Sequence, residues 1–219
     1  MKLFDNIKSL RDREKGRRAF IMANGPSLLN HELSRCKNDV IIGMNATSIL
    51  QDEFDFKMDY YCVSDRRFLL DIEKKKHAQD FVSGETICVF REELRGMIEK
   101  DKLYYTRSIG RDGFSFNLNN GFFFGSTTVL LAMQLAAYIG CNKIYLLGVD
   151  MQYKSESPRF YKEEVPQIED STIGIQIHNY LNARKALSLK GIELFSCSQY
   201  SLARPYIPYV CFDSLFSDY

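Results

Sequence analysis

Short, continuously apolar segments alternate with longer segments of helical character along most of this sequence. The apolar segments predict strands at 19–23, 40–43, 60–63, 86–90, 103–106, 143–148 and 192–196, and the segments between them predict helices at 66–79, 126–139 and 172–190. Strands that are apolar on both faces need cover on both faces, and the intervening helices supply it. We therefore predict an α/β, Rossmann-like fold with a mainly parallel sheet and helices on both faces.

The length of 219 residues suits one domain with a sizeable core. We divide the chain into a basic amphipathic N-terminal helix at 1–18 and a single domain at 19–219. In the first segment, Leu3, Phe4, Ile7 and Leu10 fall on one helical face. This helix either lies on a membrane or a partner, or packs on the domain as its first helix.

The charges nearly cancel, with 29 Lys and Arg against 28 Asp and Glu, so any polyanion must be bound locally and nucleic acid is not an expected partner. No apolar run approaches the roughly 20 residues that span a bilayer, and the start of the chain has no signal-peptide core. The six cysteines are widely spaced, which is typical of free thiols in a reducing compartment. These features predict a cytoplasmic protein, with a peripheral position at the inner face of the membrane if residues 1–18 bind there.

Several well-known site motifs are missing from the sequence. The three histidines form no cluster with cysteines, so we expect no metal site. The sequence contains neither GxxxxGK[ST] nor GxGxxG, the two commonest nucleotide fingerprints. It also lacks a DxD motif of the kind that holds a metal and a diphosphate.

Small polar residues follow four of the predicted strands. They are Asn24, Gly25, Pro26 and Ser27 after the first, Asn45 after the second, Ser64 and Asp65 after the third, and Asp150 after the sixth. In parallel sheets, ligands bind beyond the carboxyl ends of the strands, so these residues predict a binding site at one edge. The alternative is that Ser27 and Asn45 only cap the helices that follow them.

Hydroxyl side chains also precede the most apolar helix. Ser126, Thr127 and Thr128 follow Gly125 at its N-terminus. They can line a nucleotide pocket there, or one of them can simply cap the helix.

The segment 151–170 has neither helical nor strand periodicity, which is typical of a lid or a binding loop. Tyr153, Arg159, Tyr161 and Lys162 can meet a phosphate there; the alternative is a surface loop anchored by the two tyrosines. His178 lies in the next predicted helix. It is either a general base or a structural residue.

Several parts of the sequence carry a resemblance to known families. AFIMANGPSLL, the strand that ends at Asn45, and STTVLLAMQLAAYIGCNKIYLLGVDMQY resemble the bacterial family-42 sialyltransferases. The chain is also similar to the domain-of-unknown-function family 115, which includes proteins like 6-hydroxymethylpterin diphosphokinase and flagellin nonulosonic-acid transferases. GFSFNLNNGFFFGSTTVLLAMQLAAYIG, FYKEE and FDSLF match this second group.

The sialyltransferase resemblance implies a nucleotide-binding transferase domain at 19–219 and an inverting, metal-independent glycosyltransferase. The donor would be a cytidine-monophosphate (CMP) sugar carrying sialic acid or another nonulosonic acid, and the acceptor a cell-surface glycan, as in polysaccharide biosynthesis. The resemblance implies that Asn24, Gly25 and Ser27 hold the nucleotide phosphate and ribose. Asn45 would contact the nucleotide, and Thr127 and Thr128 would line its pocket. Tyr153 and Tyr161 would donate to the departing phosphate, and His178, one helical turn beyond the family's histidine, would be the base.

The second resemblance implies a different reaction, transfer of a diphosphate from ATP to a pterin hydroxyl with Mg²⁺ held by Asp65 and Asp150. A third reading is a nucleotide-binding module without catalysis. We favour the glycosyltransferase, which requires no cofactor beyond its donor. A homo-oligomer could form through an aromatic C-terminal tail, which could equally cover its own sheet: Tyr206, Tyr209, Phe212, Phe216 and Tyr219.

Overall fold

The computed structural model describes residues 6–54, 56–80, 84–98, 102–153, 158–163 and 169–216. Its strands are β1 (Arg18–Met22), β2 (Val40–Met44), β3 (Tyr60–Val63), β4 (Ile87–Arg91), β5 (Leu103–Thr106), β6 (Ser108–Gly110), β7 (Phe122–Phe123), β8 (Lys143–Leu147) and β9 (Glu193–Ser196). Its α-helices are α1 (Ile49–Glu53), α2 (Arg66–Leu70), α3 (Ile72–Asp80), α4 (Thr128–Tyr138) and α5 (Ile173–Ser188).

Seven of the strands form one parallel sheet in the order β5-β4-β3-β2-β1-β8-β9. β1 lies inside the sheet, with Ala19 paired to Val40 of β2 and to Ile144 of β8. The chain therefore builds the sheet outwards from β1 in both directions, and the order reverses between β1 and β8. The predicted α/β, Rossmann-like fold is confirmed, and β6 and β7 add a two-stranded parallel sheet.

Helices and turns cover both faces of the sheet, as the apolar strands require. Ala19 and Ile21 of β1 pack into the same cluster as α4 and α5. Phe20 and Met22 face the other side, which packs against α1–α3, short 3₁₀ turns and the C-terminal segment. The continuous apolar pattern of the strands is thus the pattern of residues buried on two faces.

Each strand of the main sheet lies within one residue of its predicted bounds. The predicted helix 66–79, in contrast, is two helices, α2 and α3, separated at Asp71. The Asp71 backbone is extended, and its carboxylate accepts hydrogen bonds from the amides of Glu73 and Lys74, both at 3.1 Å. Asp71 therefore caps a new helix instead of continuing the old one.

The predicted N-terminal helix is wrong over residues 6–18, and Leu3 and Phe4 lie outside the described residues. Ile7–Leu10 form a single 3₁₀ turn, whose two apolar residues are buried in the core. Beyond it, the backbone amides at 12, 14 and 16 donate to the carbonyls at 138, 139 and 140, where α4 ends. These amides satisfy the carbonyls at the end of another helix, so this segment packs on its own domain.

The aromatic C-terminal segment covers its own sheet. Phe212 is buried, and its ring centroid lies 6.0 Å from that of Phe20. Phe216 stacks on Phe20 at 5.8 Å. The described part of the tail therefore takes the second of the two arrangements considered above.

No helix within the described ranges is long and apolar enough to cross a membrane. All six cysteines are free thiols, and five of them are buried. Burial raises the pKa of Cys141 and of Cys197 to about 12, so these thiols stay protonated and unreactive.

Candidate functional site

A cavity of about 740 Å³ opens at the carboxyl ends of the strands, beside the reversal between β1 and β8. Residues that follow four strands line it, together with the start of α4: Asn24, Gly25, Asn45, Ser64, Asp65, Asp150, Ser126, Thr127 and Thr128. This volume is typical of small-molecule sites. The structure thus brings most of the predicted strand-end residues to one place, the edge where open α/β sheets bind ligands.

Two asparagines in this cavity carry unpaired oxygens. Asn24 is 7% exposed. The side-chain oxygens of Asn24 and Asn45 are both buried, and neither has a hydrogen-bond partner within the described residues. A buried carbonyl without a donor costs about 1–3 kcal/mol. A ligand that supplies hydroxyl or amino donors would recover this cost.

The cavity also concentrates strained backbone. Four non-glycine residues in the described chain have a left-handed φ, and three of them line the cavity: Asn45 at 52°, Ser126 at 58° and Met151 at 59°. Such conformations cost about 1–3 kcal/mol each and persist where the surrounding structure holds them. Strain of this kind gathers at binding sites.

The turn after β1 is held by Asp150, at the end of β8. The Asp150 carboxylate accepts hydrogen bonds from the amide of Ser27, at 2.8 Å, and from its hydroxyl. A Cβ atom on Gly25 would lie 2.5 Å from the carbonyl oxygen of Gly148, so only glycine fits there. Neither Pro26 nor Ser27 is among the described residues that line the cavity, and the predicted phosphate contact through Ser27 is not the arrangement observed.

Several other predicted residues cap helices or tie elements together. Asp65 caps α2, accepting from the amide of Arg67 at 2.9 Å, and forms an ion pair with that side chain at 2.8 Å. Thr127 caps α4. The hydroxyls of Ser64 and Thr128 lie 2.9 Å apart and join β3 to α4. These residues line the cavity and also fix its walls.

The described part of the predicted lid forms one wall. The amide of Phe160 donates to the carbonyl of Asn24 at 3.0 Å, which fixes this wall to the turn after β1. Tyr153 and Tyr161 both line the cavity, whereas Lys162 is exposed outside it. Burial raises the pKa of both tyrosines, so their hydroxyls remain protonated donors.

Cationic side chains stand around the cavity, most of them not anticipated from the sequence: Arg66, Arg67, Lys74, Arg91 and Arg159. Arg159 lies over the ring of Tyr153, 5.2 Å from its centroid. Lys74 pairs at 3.0 Å with Glu163, whose side chain is only 4% exposed. Arg91 is the last residue of β4, one position beyond the predicted strand end, so the strand-end rule could have found it.

His178 does not reach the cavity. It is exposed, and its Nε2 lies 2.9 Å from the side-chain amide of Asn182. The residues of α5 that line the cavity include Gln176 and Tyr180. Position 178 is two residues from each of them, which places it about 200° around the helix. The role that the resemblance gives His178 as a base therefore has no support in this geometry.

The family model for 6-hydroxymethylpterin diphosphokinase MptE-like proteins matches residues 1–156. The chain belongs to the MptE-like family. No curated protein sequence matches it.

Solved structures share the fold of this MptE-like chain. The MAf glycosyltransferase from Magnetospirillum magneticum AMB-1 superposes with a TM-score of 0.61 at 15% identity, covering 97% of this chain and 38% of that protein. The chain thus spans well under half the length of that relative. The sialyltransferase CstII from Campylobacter jejuni, in complex with cytidine-5'-monophosphate, gives 0.53 at 15% identity, with 89% and 85% covered. Cst-I, a monofunctional alpha-2,3-sialyltransferase from Campylobacter jejuni, gives 0.54 at 14%, with 89% and 80% covered.

The MptE-like family name implies a diphosphokinase, and the resemblance to that group implies a magnesium ion held by Asp65 and Asp150. Within the described ranges, no three histidine, cysteine or carboxylate side chains converge in a way that could hold a metal. Asp65 is paired with Arg67, and both oxygens of Asp150 accept from Ser27. These two carboxylates are committed to the fold and do not fit a magnesium site.

Proposed function

We propose that this MptE-like protein is a glycosyltransferase that cleaves a CMP-linked sugar and transfers the sugar to a cell-surface glycan. The observation that carries the proposal is the pair of buried, unpaired carboxamide oxygens, Asn24 and Asn45, in a cavity at the strand-order reversal. The fold shared with glycosyltransferases, one of them bound to CMP, supports the same reaction class.

In this proposal the nucleoside lies over the ends of β1 and β2. The oxygens of Asn24 and Asn45 accept hydrogen bonds from the ribose hydroxyls or from the amino group of the base. The phosphate faces the start of α4, where Ser126 lines the cavity and the positive end of the helix dipole favours an anion. The cationic side chains around the cavity supply positive charge locally, which is compatible with a net charge of only +1 for the whole chain.

The sugar is released by stabilising the phosphate that leaves. Negative charge grows on the phosphate as its bond to the sugar breaks, and preplaced donors lower the barrier. Tyr153, Tyr161 and Arg159 stand on the wall of the cavity that would face this charge. None of His31, His77 and His178 is among the described residues that line the cavity. We therefore assign none of them as the base that accepts the proton of the acceptor hydroxyl.

The alternative is the diphosphokinase, which the name of the matching family favours. It would require Mg²⁺ to bridge the phosphates of ATP. The existing bonds of Asp65 and Asp150 would have to break to serve that ion. We therefore place sugar transfer first.

Calorimetric titration separates the two reactions. The protein is titrated with CMP and with ATP, each in buffer with MgCl₂ and in buffer with EDTA. Sugar transfer predicts CMP binding that is the same in both buffers. ATP binding that appears only with MgCl₂, without CMP binding, would favour the diphosphokinase.

A further inference from the structure

A buried tyrosine outside the described cavity lining contacts the backbone of Asn45. Tyr61 lies in β3 and is fully buried. Its hydroxyl donates to the backbone carbonyl of Asn45 at 2.5 Å. Asn45 is the first residue after β2, where the sheet pairing between Met44 and Cys62 ends.

This contact falls on one of the strained positions. Asn45 has a φ of 52°, a conformation that asparagine tolerates better than most residues but that still costs energy. The backbone conformation decides where the side chain of Asn45 can point. A fixed carbonyl therefore also fixes the carboxamide, whose oxygen is buried and unpaired in the cavity wall.

We propose that Tyr61 is a positioning residue of the nucleotide site, because its hydroxyl holds Asn45 in the left-handed conformation. This inference rests on the proposed function for its ligand, a nucleoside monophosphate. The hydroxyl lies outside the described cavity lining, so its effect on binding would pass through Asn45.

Tyr60 provides a matched control, because it is the preceding residue of the same strand. It is also buried, but it faces the other side of the sheet. Its hydroxyl donates to Glu14 at 2.9 Å. Tyr60→Phe and Tyr61→Phe each remove one hydroxyl from a buried side chain, and only Tyr61→Phe releases a cavity residue.

The test compares both variants with the wild type in two measurements. NMR shifts of Asn45 report its backbone conformation without ligand, and calorimetry reports affinity for CMP. We expect Tyr61→Phe to shift the Asn45 signals and to weaken CMP binding about tenfold, the effect of one hydrogen bond. Tyr60→Phe should leave the Asn45 signals in place and change the affinity by less than about twofold.

Unchanged Asn45 signals together with wild-type CMP affinity in Tyr61→Phe would overturn the inference. A shift of equal size at Asn45 in Tyr60→Phe would also overturn it, because the effect would then be general loosening of the strand. If the wild type bound no CMP, the proposed function would fail, and the Asn45 signals alone would still decide whether Tyr61 holds this residue.

Discussion

The carboxylate of Asp150 accepts a hydrogen bond from the backbone amide of Ser27 at 2.8 Å, across 123 positions of sequence. Its second oxygen accepts from the Ser27 hydroxyl, which also lies 3.0 Å from the hydroxyl of Ser198. The bond joins the ends of β1 and β8, the two strands between which the sheet order reverses. This contact between Ser27 and Asp150 fixes one side of the cavity.

Replacing Asp150 should therefore lower stability. Asp150→Ala leaves the Ser27 amide and hydroxyl without their acceptor, and we expect the free energy of unfolding to fall by about 1–3 kcal/mol. Asp150→Asn keeps a neutral acceptor and should lose less. Urea denaturation measures both. Wild-type stability in Asp150→Ala would show that the carboxylate is free to serve a ligand.

The paired substitutions Asn45→Gly and Asn45→Ala separate backbone strain from ligand binding. Glycine adopts the left-handed φ of 52° without cost, whereas alanine pays about 1 kcal/mol. We expect Asn45→Gly to match or exceed wild-type stability while weakening CMP binding about tenfold. Thermal unfolding and calorimetry report the two effects. Undiminished CMP binding in both variants would remove Asn45 from the site.

Much of the fold and part of the site followed from the sequence. Strands buried on two faces leave a continuous apolar signature, so the sheet and its carboxyl edge were predictable. That edge located Asn24, Asn45 and Ser64 in one cavity. Arg91, directly after the predicted strand end at 90, was missed because the rule was applied to small polar residues.

What the sequence could not reveal depends on contacts between distant residues. From the sequence, the Ser27 hydroxyl is a candidate phosphate ligand. In the structure it donates to the carboxylate of Asp150, which lies far away in the sequence. The apolar residues up to Leu10 have helical spacing, but Ile7–Leu10 form only a 3₁₀ turn, and backbone amides beyond it bond to the end of α4. The face that His178 occupies is set by the packing of α5, which no local pattern specifies.

His178→Ala tests whether a helix face outside the cavity takes part in the reaction. Because its ring contacts Asn182 and lies outside the described cavity lining, we expect unchanged CMP affinity and unchanged donor turnover. Steady-state kinetics with a CMP-sugar provide the measurement. A fall in turnover of about 10²–10⁴, the usual contribution of a general base, would show that His178 reaches the substrate after all.

Tyr153→Phe and Tyr161→Phe should each slow donor cleavage about 10²-fold, the typical effect of losing one donor to a developing charge. Tyr145→Phe is the control, because that ring stacks between Phe20 and Phe195 and is not among the described residues that line the cavity. Equal rates in the three variants would contradict the assigned roles.

The same tyrosines predict a pH dependence. Burial raises the pKa of Tyr153 and Tyr161 above the ordinary value near 10, so their protonated, donating form persists below that pH and is lost only as pH rises through the raised values. Donor cleavage should therefore show no tyrosine-dependent loss up to about pH 10. A pH–rate profile of the wild type that fell at a lower pH, and lost this fall in Tyr161→Phe, would contradict the direction of the shift.

The most direct test is the release of CMP from CMP-N-acetylneuraminic acid, followed by chromatography with EDTA present. For a glycosyltransferase with a CMP-linked donor, we expect the wild type to release CMP and the Tyr153→Phe, Tyr161→Phe double variant to release it far more slowly. No release of CMP, together with the formation of AMP from ATP and 6-hydroxymethylpterin when Mg²⁺ is supplied, would contradict this proposed function.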